Sequence, residues 1–132
     1  MRVLVTGGAG FIGSALIRFL INETEHTVVN FDKLTYAGNL ENIKDIEKAE
    51  NYTFEKGDIC DRRLIEKLFE KYRFKGVIHF AAESHVDRSR TGPDAFIETN
   101  ILGTYSLLKA AKKCWLDNSR EPVNHRFHHV ST

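Results

Sequence analysis

Arg2-Val3-Leu4-Val5-Thr6-Gly7-Gly8-Ala9-Gly10-Phe11-Ile12-Gly13 joins an almost wholly apolar pentapeptide to a loop with four glycines. Arg2 to Thr6 reads as a short strand buried on both faces. From Phe11 to Ile21, the residues Ile12, Ala15, Leu16, Phe19 and Leu20 recur at helical spacing. The stretch is therefore strand, glycine turn, helix. A tight turn needs one residue without a Cβ, close approach of a phosphate needs another, and packing of helix on strand needs a third. The start of the helix adds free N–H groups and the positive end of a dipole. Gly7, Gly10, Phe11, Ile12 and Gly13 are thus candidates for holding the pyrophosphate of a dinucleotide. A Walker-type phosphate loop is excluded because no Gly-Lys-Ser/Thr follows. A glycine turn without a ligand is the plain alternative.

Outward from this segment, apolar runs and helical patterns alternate. Thr27 to Phe31 is a second strand, and Asp32 ends it 19 positions beyond Gly13, against the roughly 20 expected for the acid that holds the adenosine ribose. A carboxylate there accepts from a free 2′-hydroxyl and repels a 2′-phosphate, so NAD is preferred to NADP. The neighbouring Lys33 weakens that preference slightly, and Asp32 alone can also be a cap or turn residue. A polar stretch follows, with a short helix expected around Leu40 to Ile46. A third strand begins at Tyr52 to Phe54. Asp58 comes after it, where this kind of fold places the adenine, with an N-cap or turn residue before the helix at Arg62 as the alternative. Asp61 is the better N-cap for the amphipathic helix Arg62 to Tyr72, which carries Leu64, Ile65, Leu68 and Phe69. Val77 to Phe80 is a fourth strand. Asp94 to Trp115 is expected as one long helix with an apolar stripe of Phe96, Ile97, Ile101, Leu108, Ala111 and Trp115. Asp117 to Asn124, with Pro122, is a loop, and Phe127 to Ser131 a fifth strand. Alternation of this kind means an α/β fold with a doubly wound parallel sheet, and right-handed crossovers give the strand order 3-2-1-4-5.

Composition narrows the partners. The chain has 132 residues, 42% hydrophobic and 28% charged, with 19 basic against 18 acidic side chains. That balance gives no support to nucleic acid or an anionic membrane as partner. No window approaches the ~20 apolar residues of a membrane span, and the N-terminus is not a signal peptide. Cys60 and Cys114 lie far apart without CxxC spacing, so both read as reduced thiols and no metal site is expected.

The motifs together resemble the extended short-chain dehydrogenase/reductase family. Thr6-Gly7-Gly8-Ala9-Gly10-Phe11-Ile12-Gly13 already fits it. Asp32-Lys33-Leu34-Thr35-Tyr36-Ala37-Gly38-Asn39-Leu40, Gly57-Asp58-Ile59-Cys60-Asp61, Ala81-Ala82-Glu83-Ser84-His85-Val86-Asp87-Arg88-Ser89, Phe96-Ile97-Glu98-Thr99-Asn100-Ile101 and Arg126-Phe127-His128-His129-Val130-Ser131-Thr132 are similar to its dTDP-glucose 4,6-dehydratase branch. The resemblance covers Arg2 to Thr132. It implies a Rossmann-type fold and a role for each matching position. Phe11 and Ile12 would meet the pyrophosphate through their N–H groups. Asp32, Lys33, Leu34 and Thr35 would surround the adenosine ribose, and Asp58 and Ile59 would flank the adenine. Phe80, Ala81, Ala82 and Ser84 would line the nicotinamide half, with Ser84 also near the sugar nucleotide. Thr99 would approach from the long helix. Thr132 would hydrogen-bond the sugar hydroxyl that is oxidised. Phe80 is aromatic where many relatives carry leucine.

Other readings of these residues remain. His79 and Phe80 can be core alone, and Thr99 can satisfy its own helix turn. Ser84, His85 and Asp87 are too close on one segment to form a hydrolase triad. The reaction implied by the resemblance oxidises the sugar at C4, removes water across C5 and C6, and returns hydride to C6. Its acid pair would follow Thr132, and its Tyr-x-x-x-Lys base would come later still. Tyr52 with Lys56 falls on a strand, and Tyr105 with Lys109 on the helix before the fifth strand, so neither matches. The expectation is that residues 1–132 are the N-terminal portion of an NAD-binding domain, truncated before the remaining strands and the substrate region, and inactive alone. The complete enzyme is expected to be a cytoplasmic homodimer acting on dTDP-glucose. A sibling nucleotide-sugar epimerase or dehydratase, or a non-catalytic NAD-binding fragment, are the alternatives.

Overall fold

The apolar runs of the central strands become strands here because both of their faces are covered, whereas the edge strand Arg126–His129 stays largely exposed. In the computed structural model, which describes residues 1–117 and 124–131, the strands are β1 (Arg2–Thr6), β2 (Thr27–Asp32), β3 (Tyr52–Lys56), β4 (Gly76–His79) and β5 (Arg126–His129). They form one sheet of order β3-β2-β1-β4-β5, parallel throughout. The doubly wound arrangement is therefore as expected.

Strand periodicity divides the core in two. Val3 and Val5 of β1 and Val28 of β2 pack with Ile17 and Leu20 of α1 (Phe11–Glu23) and with Ile43 and Ile46. Leu4, Val29 and Phe31 point the other way, onto Ile65, Leu68 and Phe69 of α2 (Arg62–Tyr72) and onto Leu107 and Ala110. Both layers follow from the period of two along a strand. The single 3-10 turn at Leu40–Ile43 replaces the longer helix expected to Ile46. Arg18 Nε donates to Asp45 at 2.9 Å and ties that polar connection back to α1.

The largest departure is in the long helix. A short helix α3 (Val86–Thr91) precedes it, then α4 (Pro93–Phe96), wide π turns over Ile97–Gly103, α5 (Thr104–Lys112) and further π turns over Lys113–Asp117. Gly92 followed by Pro93 at the first helical position starts α4 afresh. The π turns bond i to i+5, so each adds a residue per turn and rotates the apolar stripe. Ala111 stays buried, but Ile97, Ile101 and Leu108 of the expected stripe are about half exposed, at 50%, 60% and 46%. Leu107 and Ala110 form the buried face in their place.

Trp115 closes the far corner. Its Nε1–H donates to the Phe74 carbonyl at 2.7 Å, and its ring stacks on His125 with centroids 4.8 Å apart. Among the described residues no helix is long and apolar enough to cross a membrane. Most of the expected loop from Asp117 to Asn124, with Pro122, lies outside the described residues, as does Thr132.

Candidate cofactor site

Gly7 begins the turn out of β1 with φ +72°, a left-handed conformation that glycine adopts without strain. A Cβ on it would also lie 2.7 Å from Ala81 N, so the exit of β4 presses directly on this turn. A Cβ on Gly13 would run into the Gly7 carbonyl, which lets α1 start close to β1. Gly10 differs. Its backbone is ordinary extended chain, and a Cβ there would have only the Gly7 carbonyl at 3.3 Å and the Ala37 carbonyl at 3.9 Å nearby. It faces open space in a cleft of about 480 Å³ at the C-terminal ends of the strands.

Gly10 is the N-cap of α1 and makes no side-chain cap, and the first turn holds no acidic residue. The N–H groups at a helix start lack partners within the helix, so they face the cleft as donors for an anion. Phe11 and Ile12 are 89% and 63% exposed at this position. Across from them Asp32, which is buried, ends β2. Its Oδ2 accepts the Ala9 N–H at 2.9 Å and its Oδ1 accepts the Leu34 N–H at 2.8 Å. An ionised carboxylate offers about four lone-pair sites. Two therefore stay available on a residue that lines the cleft, enough for a diol. Leu34 itself turns through φ +58° and is not on the cleft wall, whereas Lys33 and Thr35 are.

Lys33 Nζ and Asp58 Oδ2 form an ion pair at 2.7 Å. The bond to Asp58 raises the Lys33 pKa despite some burial. Burial alone would push Asp58 up, but Lys33 and the Cys60 N–H outweigh it and the carboxyl is lowered. Lys33 is thus engaged with Asp58, while Asp32 takes its hydrogen bonds from backbone. Asp61, as expected, caps α2 by accepting the Leu64 N–H at 3.1 Å.

The opposite wall comes from the exit of β4. Phe80, Ala81, Ala82 and Ser84 line it, with Ile59 and Thr99 at the sides. Thr99 lies on the π turns. Its neighbour Asn100 holds both backbone polar groups of Glu83, accepting from its N–H at 2.8 Å and donating to its carbonyl at 3.0 Å. The cleft thus gathers Gly7, Gly10, Phe11, Ile12 and Gly13 with Asp32, Lys33, Thr35 and Asp58, from segments far apart in sequence. Ala37, Gly38, Glu83 and Val130 also line it and were not singled out from sequence. Gly38 had a signal: its N–H closes a turn onto the Thr35 carbonyl at 3.0 Å, and a Cβ on it would lie 2.9 Å from Asp32 Oδ1. A second cavity of about 460 Å³ lies between α2 and α5, but Lys113 is paired with Glu66 there at 3.0 Å and no glycine of the loop reaches it.

A parallel sheet of this order, with an uncapped helix start and an acid at the end of β2, defines a dinucleotide-binding Rossmann-type domain. The chain belongs to the GDP-mannose 4,6 dehydratase family, whose model matches residues 4–132. It is 59% identical over 133 residues to a dTDP-glucose 4,6-dehydratase of Salmonella typhimurium, covering 100% of this chain and 37% of that one. A crystal structure of dTDP-glucose 4,6-dehydratase from Bacillus anthracis in complex with NAD matches with TM-score 0.81 and 37% identity, over 100% of this chain and 37% of that one. UDP-glucose 4-epimerase from Thermotoga maritima, solved with UDP-glucose, matches with TM-score 0.84 and 33% identity, over 100% and 38%. The chain therefore spans a little over a third of the length of these relatives.

Proposed function

We propose that this chain holds NAD in the cleft above β1 and β4, as the cofactor-binding part of a dTDP-glucose 4,6-dehydratase. The observation that carries the reading is the pairing of an uncapped α1 start with Asp32, both of which line the same cleft. The N–H groups of Phe11 and Ile12 suit a pyrophosphate, and Asp32 suits a ribose diol. Lys33 and Thr35 complete the ribose end, with Leu34 turned away from the wall, and Asp58 and Ile59 take the adenine. Phe80, Ala81, Ala82, Ser84 and Thr99 surround the nicotinamide. When bound, NAD supplies a reversible hydride acceptor. These side chains orient it and exclude water from it. Ser84 and Thr132 would meet the sugar nucleotide, with Thr132 on the hydroxyl to be oxidised. The acid and base for elimination are a matter for the whole protein.

Relatedness at 59% to a dTDP-glucose dehydratase, against 33% to the UDP-glucose epimerase, favours dTDP-glucose as the substrate. The half-exposed face of Ile97, Ile101, Tyr105 and Leu108 suits a homodimer, and a cytoplasmic enzyme fits the free thiols of Cys60 and Cys114. Gly10→Val is the cleanest test of the cofactor site. Its extended backbone tolerates a side chain, unlike that of Gly7, and the one tight neighbour of a Cβ is the Gly7 carbonyl at 3.3 Å, so the variant should fold while its methyls fill the pyrophosphate position. Calorimetric titration should find NAD binding in the parent and none in the variant. Equal affinity in both would reject the assignment.

A further inference from the structure

His79 is the last residue of β4, almost fully buried at 1% exposure, and the proposed cofactor reading does not use it. It lies opposite Thr6 of β1 and His129 of β5 in the sheet register. Both ring nitrogens are engaged. Nδ1 is 2.6 Å from Thr6 Oγ1, and Nε2 is 2.9 Å from Thr104 Oγ1 at the start of α5. Thr6 Oγ1 also accepts the Ala81 N–H at 3.3 Å, and Ala81 is on the cleft wall.

These contacts favour one proton order. Thr6 is fully buried, so its hydroxyl proton needs an acceptor inside the protein. The Ala81 N–H already donates to that oxygen. If Nδ1 carried the ring proton, two donors would meet on Thr6 Oγ1. Its own proton would then turn away from the nearest acceptor. With the proton on Nε2, Ala81 N–H gives to Thr6 Oγ1, Thr6 O–H gives to Nδ1, and Nε2–H gives to Thr104 Oγ1, whose own proton can turn to a carbonyl of the preceding helical turn. The chain is directional because Thr6, on a central strand, has no helical carbonyl to take its proton if Nδ1 carries one.

We propose that His79, as its Nε2–H tautomer, is a positioning residue for the cofactor cleft. It orients the Thr6 hydroxyl so that a lone pair faces Ala81, and this holds the Ala81 peptide against Gly7. Its other nitrogen ties the same strand end to α5, just beyond the π turns that bear Thr99 and Asn100. The nicotinamide wall is thereby referenced to both sheet and helix. The functional part of this inference rests on the NAD reading above, but the hydrogen-bond order does not.

Two isosteric variants separate the arms. Asparagine places a polar atom where Nδ1 sits, and glutamine places one where Nε2 sits. His79→Asn should keep the Thr6–Ala81 link and lose the tie to Thr104, and His79→Gln should do the reverse. Hydrogen exchange at the Ala81 amide, read by NMR on the folded chain, should stay slow in His79→Asn and speed up about tenfold or more in His79→Gln. NAD affinity should follow the same order, weakened less for Asn than for Gln, which should lose about tenfold. Nitrogen-15 spectra of the parent should show a protonated Nε2 and a bare Nδ1. An Nδ1–H tautomer, or equal Ala81 exchange in both variants, would overturn the proposal. If the parent binds no NAD, the cofactor reading fails, and the exchange and tautomer results still decide the role of His79. If NAD binds but its affinity ignores the Ala81 exchange order, positioning of the cofactor is refuted.

Discussion

Replacing Asp32 by alanine takes an acceptor from two backbone donors as well as from any ribose in the cleft. The buried Ala9 N–H would lose its 2.9 Å partner, so the glycine loop should loosen together with the site. Asp32→Ala should therefore narrow the difference between NAD and NADP affinity by about 1–3 kcal/mol, and also lower the melting temperature. Parallel titrations with the two cofactors and a thermal melt check both effects. A parent that preferred NADP would contradict the role given to this carboxylate. His79 has a pH signature of its own. Burial, and after it the neighbouring His129, hold its pKa down to about 4 from an ordinary 6.5. Between those values the unfolded chain binds a proton that the folded chain refuses, so stability falls as the pH drops through that window. Above 6.5 the ring is neutral in both states and the full stability is present. The loss should approach something on the order of 3 kcal/mol at the acid end. Urea unfolding across the window should show it, and His79→Asn should flatten that part of the curve.

Elements respond to their ends and their phase. Asp61→Ala removes the side chain that accepts the Leu64 N–H at the start of α2. It should cost about 1 kcal/mol, seen as a lower urea midpoint with unchanged slope and unchanged cofactor binding. This cap was legible in sequence, as were the five strands, because a cap and a period of two or 3.6 are local properties. The glycine loop and Asp32 were legible for the same reason: their spacing is set by one strand-turn-helix unit and the strand after it. What escaped was set by contact between distant segments. Nothing local says that Gly7 must be small for Ala81, or that Asn100 will clasp Glu83. The π turns at Ile97–Gly103 escaped too, since a helical pattern read at 3.6 residues per turn assigns Ile101 and Leu108 to the wrong side. Leu34 went into the ribose set with its neighbours, yet its left-handed turn keeps it off the cleft wall while Lys33 and Thr35 stay on it.

At the scale of the molecule, the exposed row of Ile97, Ile101, Tyr105 and Leu108 should be where a second copy docks. Ile101→Glu would bury a carboxylate without a partner in that interface. Sedimentation should find a dimer for the parent and a monomer for the variant, with the same circular dichroism. A monomeric parent would remove this face from the proposal. The sheet also separates two ends that answer to different events. Trp115 is the only tryptophan in the chain. Its indole is fixed to Phe74 and His125, which lead into β4 and β5, so it sits where those strands begin. The cleft opens where they end, roughly 13 Å away along the four residues of β4 at ~3.3 Å each. The single indole thus stands at the corner that must come apart when α5 leaves the sheet and well away from the nucleotide. Its emission should track denaturation cleanly, shift little as the cleft fills, and so provide an optical readout in which folding and ligation are already resolved.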